Sequence, residues 1–361
     1  MDGDGGLTDA AEALAERMFR NLTGALELYT VYLGERLGLY RALADSGDAT
    51  SAELAARTGT TERYVREWLE QQAACGLLTV DDPAAEPLDR RFSLPAGHVP
   101  VLADPGDLRY RAFNGTEIAR AARSLPDLAE AFRTGGAPPA TAWAPEGRPD
   151  FNRATFLHLL GKSWLSAIGA VDERLRASPG ARVADLACGS GWSCIAIALA
   201  YPLVHVDGID LDQDVIAAAR RNAAEAGVAD RVRFTTTDAS AGDMSGCYDV
   251  VTILEGLHDM ARPVDALRAA RQLLASPGWV VVADELVEDE FTAPASLLEQ
   301  NHYGWSVIGC LPAVMGDPQT AATGAVMRPA TLRRYAAEAG FAEVEVLPVQ
   351  AETLRFYLLS P

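Results

Sequence analysis

At 361 residues and 49% hydrophobic content, the chain can bury a sizeable core, and its length predicts two or three domains. A formal net charge of −19 excludes a broadly basic surface of the kind that binds nucleic acid or anionic membrane. Cysteines 75, 188, 194, 247 and 310 show neither Cys-x-x-Cys spacing nor histidines at metal spacing, so free thiols of a reducing cytoplasm and no metal site are expected.

No secretory leader and no apolar run of about 18 residues is visible, which predicts a cytoplasmic protein without a membrane partner. Residues 1–9 are rich in Gly and Asp. From Ala11 to Ala44, Leu14, Met18, Leu22, Leu26, Tyr29 and Leu33 recur at helical spacing, and Phe19, Leu28 and Tyr32 widen the stripe past one face. Such a helix is covered either within its own domain or by a second copy of the chain; a homodimer is the favoured reading. Residues 51–58 and 62–75 predict two helices around the turn Gly59–Thr61. Residues 77–80 and 91–94 then predict a two-stranded wing. This is the pattern of a winged helix-turn-helix, yet its second helix sets Glu62, Glu67 and Glu70 against Arg63 and Arg66. Residues 1–100 hold about 17 acids to about 9 bases, the wrong balance for phosphate contact, so a dimerisation role is preferred to nucleic-acid binding.

The expected division is an N-terminal domain at 1–100, a helical linker and lid region at 101–180, and an α/β domain at 181–361. The middle region is interrupted by a Pro- and Gly-rich loop at 135–147 containing Trp143, and closes with an amphipathic helix pair at 151–177. From 181 onward, strands at 182–187, 204–210, 232–238, 248–254, 279–285, 342–348 and 354–360 alternate with helices near 192–200, 212–227, 263–275 and 330–339. That rhythm predicts a Rossmann-like doubly wound sheet ending in an antiparallel hairpin. Residues 287–329 break it with an aromatic, partly polar insertion carrying Asn301, His302, Tyr303, Trp305 and Cys310.

The first strand leads into Asp185-Leu-Ala-Cys-Gly-Ser-Gly191. Its glycines permit a sharp turn and close backbone approach, and the helix that follows aims its N-terminal N–H groups over the strand end. Cys194 stands where a dinucleotide fingerprint has its third glycine. Asp210 ends the second strand, where a ribose diol is held in such folds, and Asp238 ends the third. Each acid alone could be a helix cap or a solvated turn; together at successive strand ends they describe a nucleoside site.

This arrangement resembles motif I of the class I S-adenosylmethionine (SAM) methyltransferases. The fourth strand end, Tyr248 to Met260, carries His258-Asp259. It resembles the plant-type small-molecule O-methyltransferases and their bacterial natural-product relatives, whose histidine at this place is the general base and whose N-terminal winged-helix domain dimerises. Arg63 to Trp68 and Leu257 to Met260 are similar to an actinobacterial subgroup. The resemblance implies a seven-stranded methyltransferase sheet behind a mainly α winged-helix domain, with S-adenosylhomocysteine (SAH) as product. It implies SAM contacts at Asp185, Ala187, Gly189, Gly191, Asp210, Leu211, Asp238 and Ala239, catalysis by His258, Asp259 and Asp284 (or Glu285), and a small-molecule acceptor bound near Glu255, His302, Tyr303 and Trp305. Pro277-Gly278-Trp279 departs from the family's usual Pro-Gly-Gly. A SAM-binding protein of this fold without methyl transfer, or a SAM-responsive regulator, remain the alternatives.

Overall fold

The computed structural model describes residues 3–139, 150–238 and 247–361, with side chains from residue 9. The chain divides into two units, one built on Met1–Arg123 and the other on Ser124–Ala144 and Asn152–Pro361, with Pro145–Phe151 assigned to the first.

In the first unit the long apolar stripe is not one helix. A helix at Gly3–Arg36 stops where Gly38 takes φ +69°, and a second begins at Leu39. Glycine adopts that left-handed backbone without steric cost, which is why the chain turns there. Helix Ser51–Thr58 starts at a capping box between Thr50 and Glu53, and Glu62–Ala74 follows. Strands β1 (Thr79–Val80) and β2 (Phe92–Ser93) pair antiparallel as the wing. Leu39, Tyr40, Leu54, Val65, Trp68, Leu69 and Phe92 form this unit's core. The basic residues of the second helix are matched on the same helix, Arg63 to Glu67 at 2.5 Å and Arg66 to Glu62 at 3.3 Å.

The second unit is a seven-stranded sheet of β3 (Arg182–Leu186), β4 (His205–Asp210), β5 (Val232–Thr236), β6 (Tyr248–Leu254), β7 (Leu274–Glu285), β8 (Glu343–Leu347) and β9 (Leu354–Ser360). Their order is β5-β4-β3-β6-β7-β9-β8, and β9 alone runs antiparallel to its two neighbours. β3 and β6 are almost wholly buried, and so is β7 from Val280 to Asp284, as parallel strands covered on both faces must be. Helices Phe156–Trp164 (a widened, π-type helix), Trp192–Ala200 and Gln213–Glu225 contribute to one core layer; Pro263–Leu273 and Pro329–Ala339 pack into the other. The strand order places β3 and β6 side by side at the centre with their parallel neighbours running outward, the switch point where such sheets bind ligands. Two boundaries moved from the sequence reading: β5 stops at Thr236, short of Asp238, and β7 begins at Leu274 through Pro277 and Gly278. The insertion is helical at Leu297–Trp305, Ser306–Cys310 and Leu311–Val314. Among the described residues no helix is long and apolar enough to cross a membrane. Trp143 and the core of its loop lie outside the described residues.

Candidate active site

Two groups of side chains form at the carboxyl ends of the parallel strands. The first surrounds the turn after β3. Ala187, Gly189 and Gly191 all take positive φ, +58°, +54° and +83°, so the backbone folds tightly over the strand end. A Cβ on Gly191 would stand 2.6 Å from the Phe234 ring, so glycine is required there for space as well as for φ. Among the described residues, chain neighbours aside, a Cβ on Gly189 would meet no atom within 4 Å, which leaves that face of the backbone open to close approach. The Gly189 N–H donates to Asp210 Oδ2 at 3.0 Å, and the Asp212 N–H to Asp210 Oδ1 at 3.0 Å. Each carboxylate oxygen thus keeps lone pairs for a further donor. Helix Trp192–Ala200 opens at Gly191, which has no side chain to cap its first-turn N–H groups.

Asp185 lies deeper than the sequence reading placed it. It is 1% exposed, and its oxygens accept from Ser193 Oγ (2.5 Å), Cys194 Sγ (3.3 Å) and Thr252 Oγ1 (2.5 Å). Burial pushes its carboxyl above the ordinary range against the pull of those donors. The chain's own hydroxyls and thiol engage both oxygens, so Asp185 ties β3 to the start of the following helix and to β6. Asp238 is half-buried and receives Arg262 Nη2 at 3.0 Å, an ion pair the sequence did not announce. Leu211 is 70% exposed on the turn after β4. Ala239 lies outside the described residues.

The second group sits at the ends of β6 and β7. His258 and Asp284 are 3% and 1% exposed, and the imidazole Nδ1 is 2.7 Å from Asp284 Oδ1 while the His258 backbone N–H donates to Oδ2 at 3.3 Å. On its other side Nε2 is 3.2 Å from Asp259 Oδ1, a carboxylate that reaches the surface. Burial opposes a charge on this ring, but the two carboxylates outweigh it and hold the imidazole's pKa well above its usual value. Glu255 is held at φ +54° by its N–H to Ala283 O (2.7 Å) and takes a hydrogen bond from Asn152 Nδ2 at 2.8 Å. Burial raises Glu255 to about 7, against the Asn152 hydrogen bond and with the Asp284 charge adding to it. Glu285 is raised to about 8 by burial, then by Glu255 and Asp284. His302 Nδ1 lies 3.3 Å from Glu285 Oε2, and burial, with the His258 charge, lowers the His302 pKa. Near pH 7 that contact therefore joins a carboxylic acid to a neutral imidazole. Among the described residues the buried His302 Nε2 has no hydrogen-bond partner.

Of the four residues expected around an acceptor, Glu255 and His302 join this group. The Tyr303 hydroxyl instead accepts from Arg328 Nη2 at 3.2 Å, and its ring stands edge-on to Phe291. Trp305 is half-buried one helical turn further on. Asn152 and the closeness of Cys310 to His258 and Asp259 were not legible, since no spacing rule ties residues so far apart in sequence.

Residues 177–328 match the family model described as "Methyltransferase domain", and residues 10–103 that of the "Rv2258c-like winged HTH domain". The chain is 35% identical over 113 residues to a ubiquinone biosynthesis O-methyltransferase of Pseudomonas aeruginosa, covering 31% of this chain and 47% of that one. It is 31% identical over 171 residues to the enzyme of that name from Burkholderia pseudomallei, covering 46% and 67%. The chain thus spans about half the length of the first of these relatives. Solved structures with the same fold include the mitomycin 7-O-methyltransferase MmcR (TM-score 0.68, 22% identity, 98% of this chain and 99% of that one). Human N-acetylserotonin methyltransferase in complex with SAM is another (TM-score 0.70, 19% identity, 96% and 97%).

Proposed function

The chain belongs to the methyltransferase family whose domain matches residues 177–328, and from that premise we propose that it transfers the methyl group of SAM to a hydroxyl of a small molecule, releasing SAH. The single observation that carries the reading is the buried His258–Asp284 pair at the ends of β6 and β7, on the same sheet edge as the glycine turn of β3.

The cradle fits SAM. The Gly189 backbone offers close approach, Asp210 has lone pairs for a ribose diol, and the uncapped start of helix Trp192–Ala200 suits a carboxylate. Leu211 offers an exposed apolar face beside an adenine, and Asp238 with Arg262 borders it. When bound, SAM supplies an electrophilic methyl on a sulfonium. The residues of the chain do the rest. His258 Nε2 takes the proton of the acceptor hydroxyl, while Asp284 fixes the ring through Nδ1 and steadies the imidazolium. Because the ring already holds a proton well above its usual range, it must first release one, and Asp259, 3.2 Å away and exposed, is the way out to water. Glu255, Glu285 and His302, with Asn152, border the acceptor, and alignment of the acceptor with the methyl supplies on the order of 7–11 kcal/mol of the barrier reduction.

A cytoplasmic homodimer belongs to the same proposal. On helix Gly3–Arg36, Leu14, Met18, Phe19, Leu22, Leu26 and Leu33 are each between 45% and 69% exposed, an apolar face that a second copy would cover. The reading is tested by incubating the protein with methyl-labelled SAM and a panel of phenolic, amine and carbon acceptors, with sedimentation run alongside. Labelled methyl ether from at least one phenol, and a species of twice the chain mass, are expected. Heat from SAM or SAH that is absent in calorimetry, or label appearing on nitrogen or carbon alone, would refute it.

A further inference from the structure

A second chemistry is built around the same histidine. His258, Asp259 and Cys310 each offer one donor atom, and those atoms all lie within 4.8 Å of one another. We propose that His258 Nε2, Asp259 Oδ1 and Cys310 Sγ form a three-ligand site for a borderline-soft divalent metal ion of the zinc kind, and that filling it silences the histidine as a base.

Three features of the geometry converge on this. Asp284 takes the Nδ1 side of His258 at 2.7 Å, which sets Nε2 as the nitrogen carrying the lone pair whenever the ring is neutral. A carboxylate behind the imidazole of a ligating histidine is the arrangement that orients metal ligands and raises their basicity. On the Nε2 side, the Asp259 carboxylate then stands 3.2 Å from that lone pair. Two acceptors face each other at that distance only with a cation between them, a proton or a metal. Two ligands bound at ~2.0–2.2 Å to a tetrahedral ion stand ~3.3 Å apart, so the observed pair already has the required bite. The third feature is the sulfur. Cys310 closes the π-type turn Ser306–Cys310 and is partly exposed, so it can reach both the other donors and an ion from solution. A thiolate selects zinc, cobalt or copper over magnesium or calcium. On coordination the Cys310 thiol and the Nε2–H of the His258 imidazolium each release a proton to solvent, and a fourth position stays open for water. The spacing rules that led to an expectation of no metal miss this site because the helical insertion, not a local motif, brings Cys310 to His258.

The inhibitory consequence rests on the methyl-transfer reading: a lone pair committed to a metal cannot accept the acceptor's proton. The binding itself does not. Cobalt(II) is titrated into the full chain while heat and near-ultraviolet absorption are followed, and zinc is used to compete. A one-to-one complex with a sulfur-to-cobalt charge-transfer band is expected. Cys310→Ser should abolish the band and weaken binding at least ~10-fold, and Asp284→Asn should weaken it ~10- to 100-fold. Cys310→Ala gives an independent check should the serine variant misfold. Zinc inhibition of SAH formation, taken relative to each protein's own zinc-free rate, should ease in both cysteine variants. Cobalt bound without the band, or equal affinity in Cys310→Ser, overturns the site. A sulfur-ligated cobalt complex in a protein that makes no SAH keeps the site and refutes the methyl-transfer reading, and methyl transfer without metal binding does the reverse.

Discussion

The ends of β3 and β4 and the ends of β6 and β7 solve opposite problems on one sheet edge. At β3 and β4 every acid is answered by the chain itself: Asp185 by Ser193, Cys194 and Thr252, Asp210 by two backbone N–H groups. At β6 and β7, Glu255, Asp284 and Glu285 crowd one another and two imidazoles, with Asn152 as a neutral donor among them. One half is a fixed cradle; the other is a store of protons. If the division is real, substitutions in the two halves should fail in different measurements. The largest effect expected is from His258→Ala, which should lower kcat by about 10²- to 10⁴-fold while leaving the calorimetric affinity for SAM within a factor of about two. A parallel loss of SAM affinity would erase the distinction.

The reciprocal substitution is Asp210→Ala. It removes a charged acceptor from the ribose position and is expected to weaken SAM binding by about 10- to 100-fold, from the ~1.5–3 kcal/mol of a charged hydrogen bond. At saturating SAM, kcat should hold within a few-fold. A kcat that falls as far as in His258→Ala would place Asp210 in the chemistry and not in the cradle.

The two halves also differ in how far the sequence disclosed them. Gly189, Gly191 and Asp210 stand at spacings fixed by one strand, one turn and one helix, so the local pattern carries the geometry. His258 and Asp284 were legible through the family resemblance, and they stand just past β6 and at the end of β7. The places of Asn152 and Cys310 were not: the first stands in the turn before a short helix, the second closes a π-type turn, and only tertiary packing joins them to β6 and β7. The break at Gly38 is a further case, where the apolar stripe ran on through a left-handed turn that periodicity does not register.

Proton storage leaves a signature in stability. Glu255 and Glu285 bind protons more tightly when folded, at about 7 and about 8, than at the ordinary 4.5. Below pH ~4.5 both folded and unfolded states are protonated. As pH rises from there the unfolded state ionises first, so folding stability should fall until about pH 8, by on the order of a few kcal/mol. The His258 imidazolium adds in the same direction, its contribution complete below the usual histidine value and lost as pH rises through its raised one. Denaturant midpoints measured from pH 5 to 8 should show the decline, and Glu285→Gln should flatten it. A profile unchanged in that variant would mean the carboxyl is ionised in the folded protein.

The smallest effect expected lies in the cradle, at Ala187. An L-residue at φ +58° crowds its Cβ against the backbone at a cost of roughly 1–2 kcal/mol, a strain that glycine does not carry. Against this, glycine adds freedom to the unfolded chain and gives up the contact that the Ala187 methyl makes toward Gly256, where an added Cβ would stand 3.1 Å from it. The strain term is the larger, so Ala187→Gly should stabilise the fold by about 0.5–1 kcal/mol, a rise of roughly 1–4 °C in Tm. In the proton-storing half Glu255 has a similar backbone, φ +54°, but its side chain is hydrogen-bonded and half-buried beside other titratable groups. Glu255→Gly should therefore lower kcat, whereas Ala187→Gly should leave kcat at saturating SAM within a few-fold. A stabilised Glu255→Gly with full activity would show that the left-handed turns at the two strand ends serve the backbone alone.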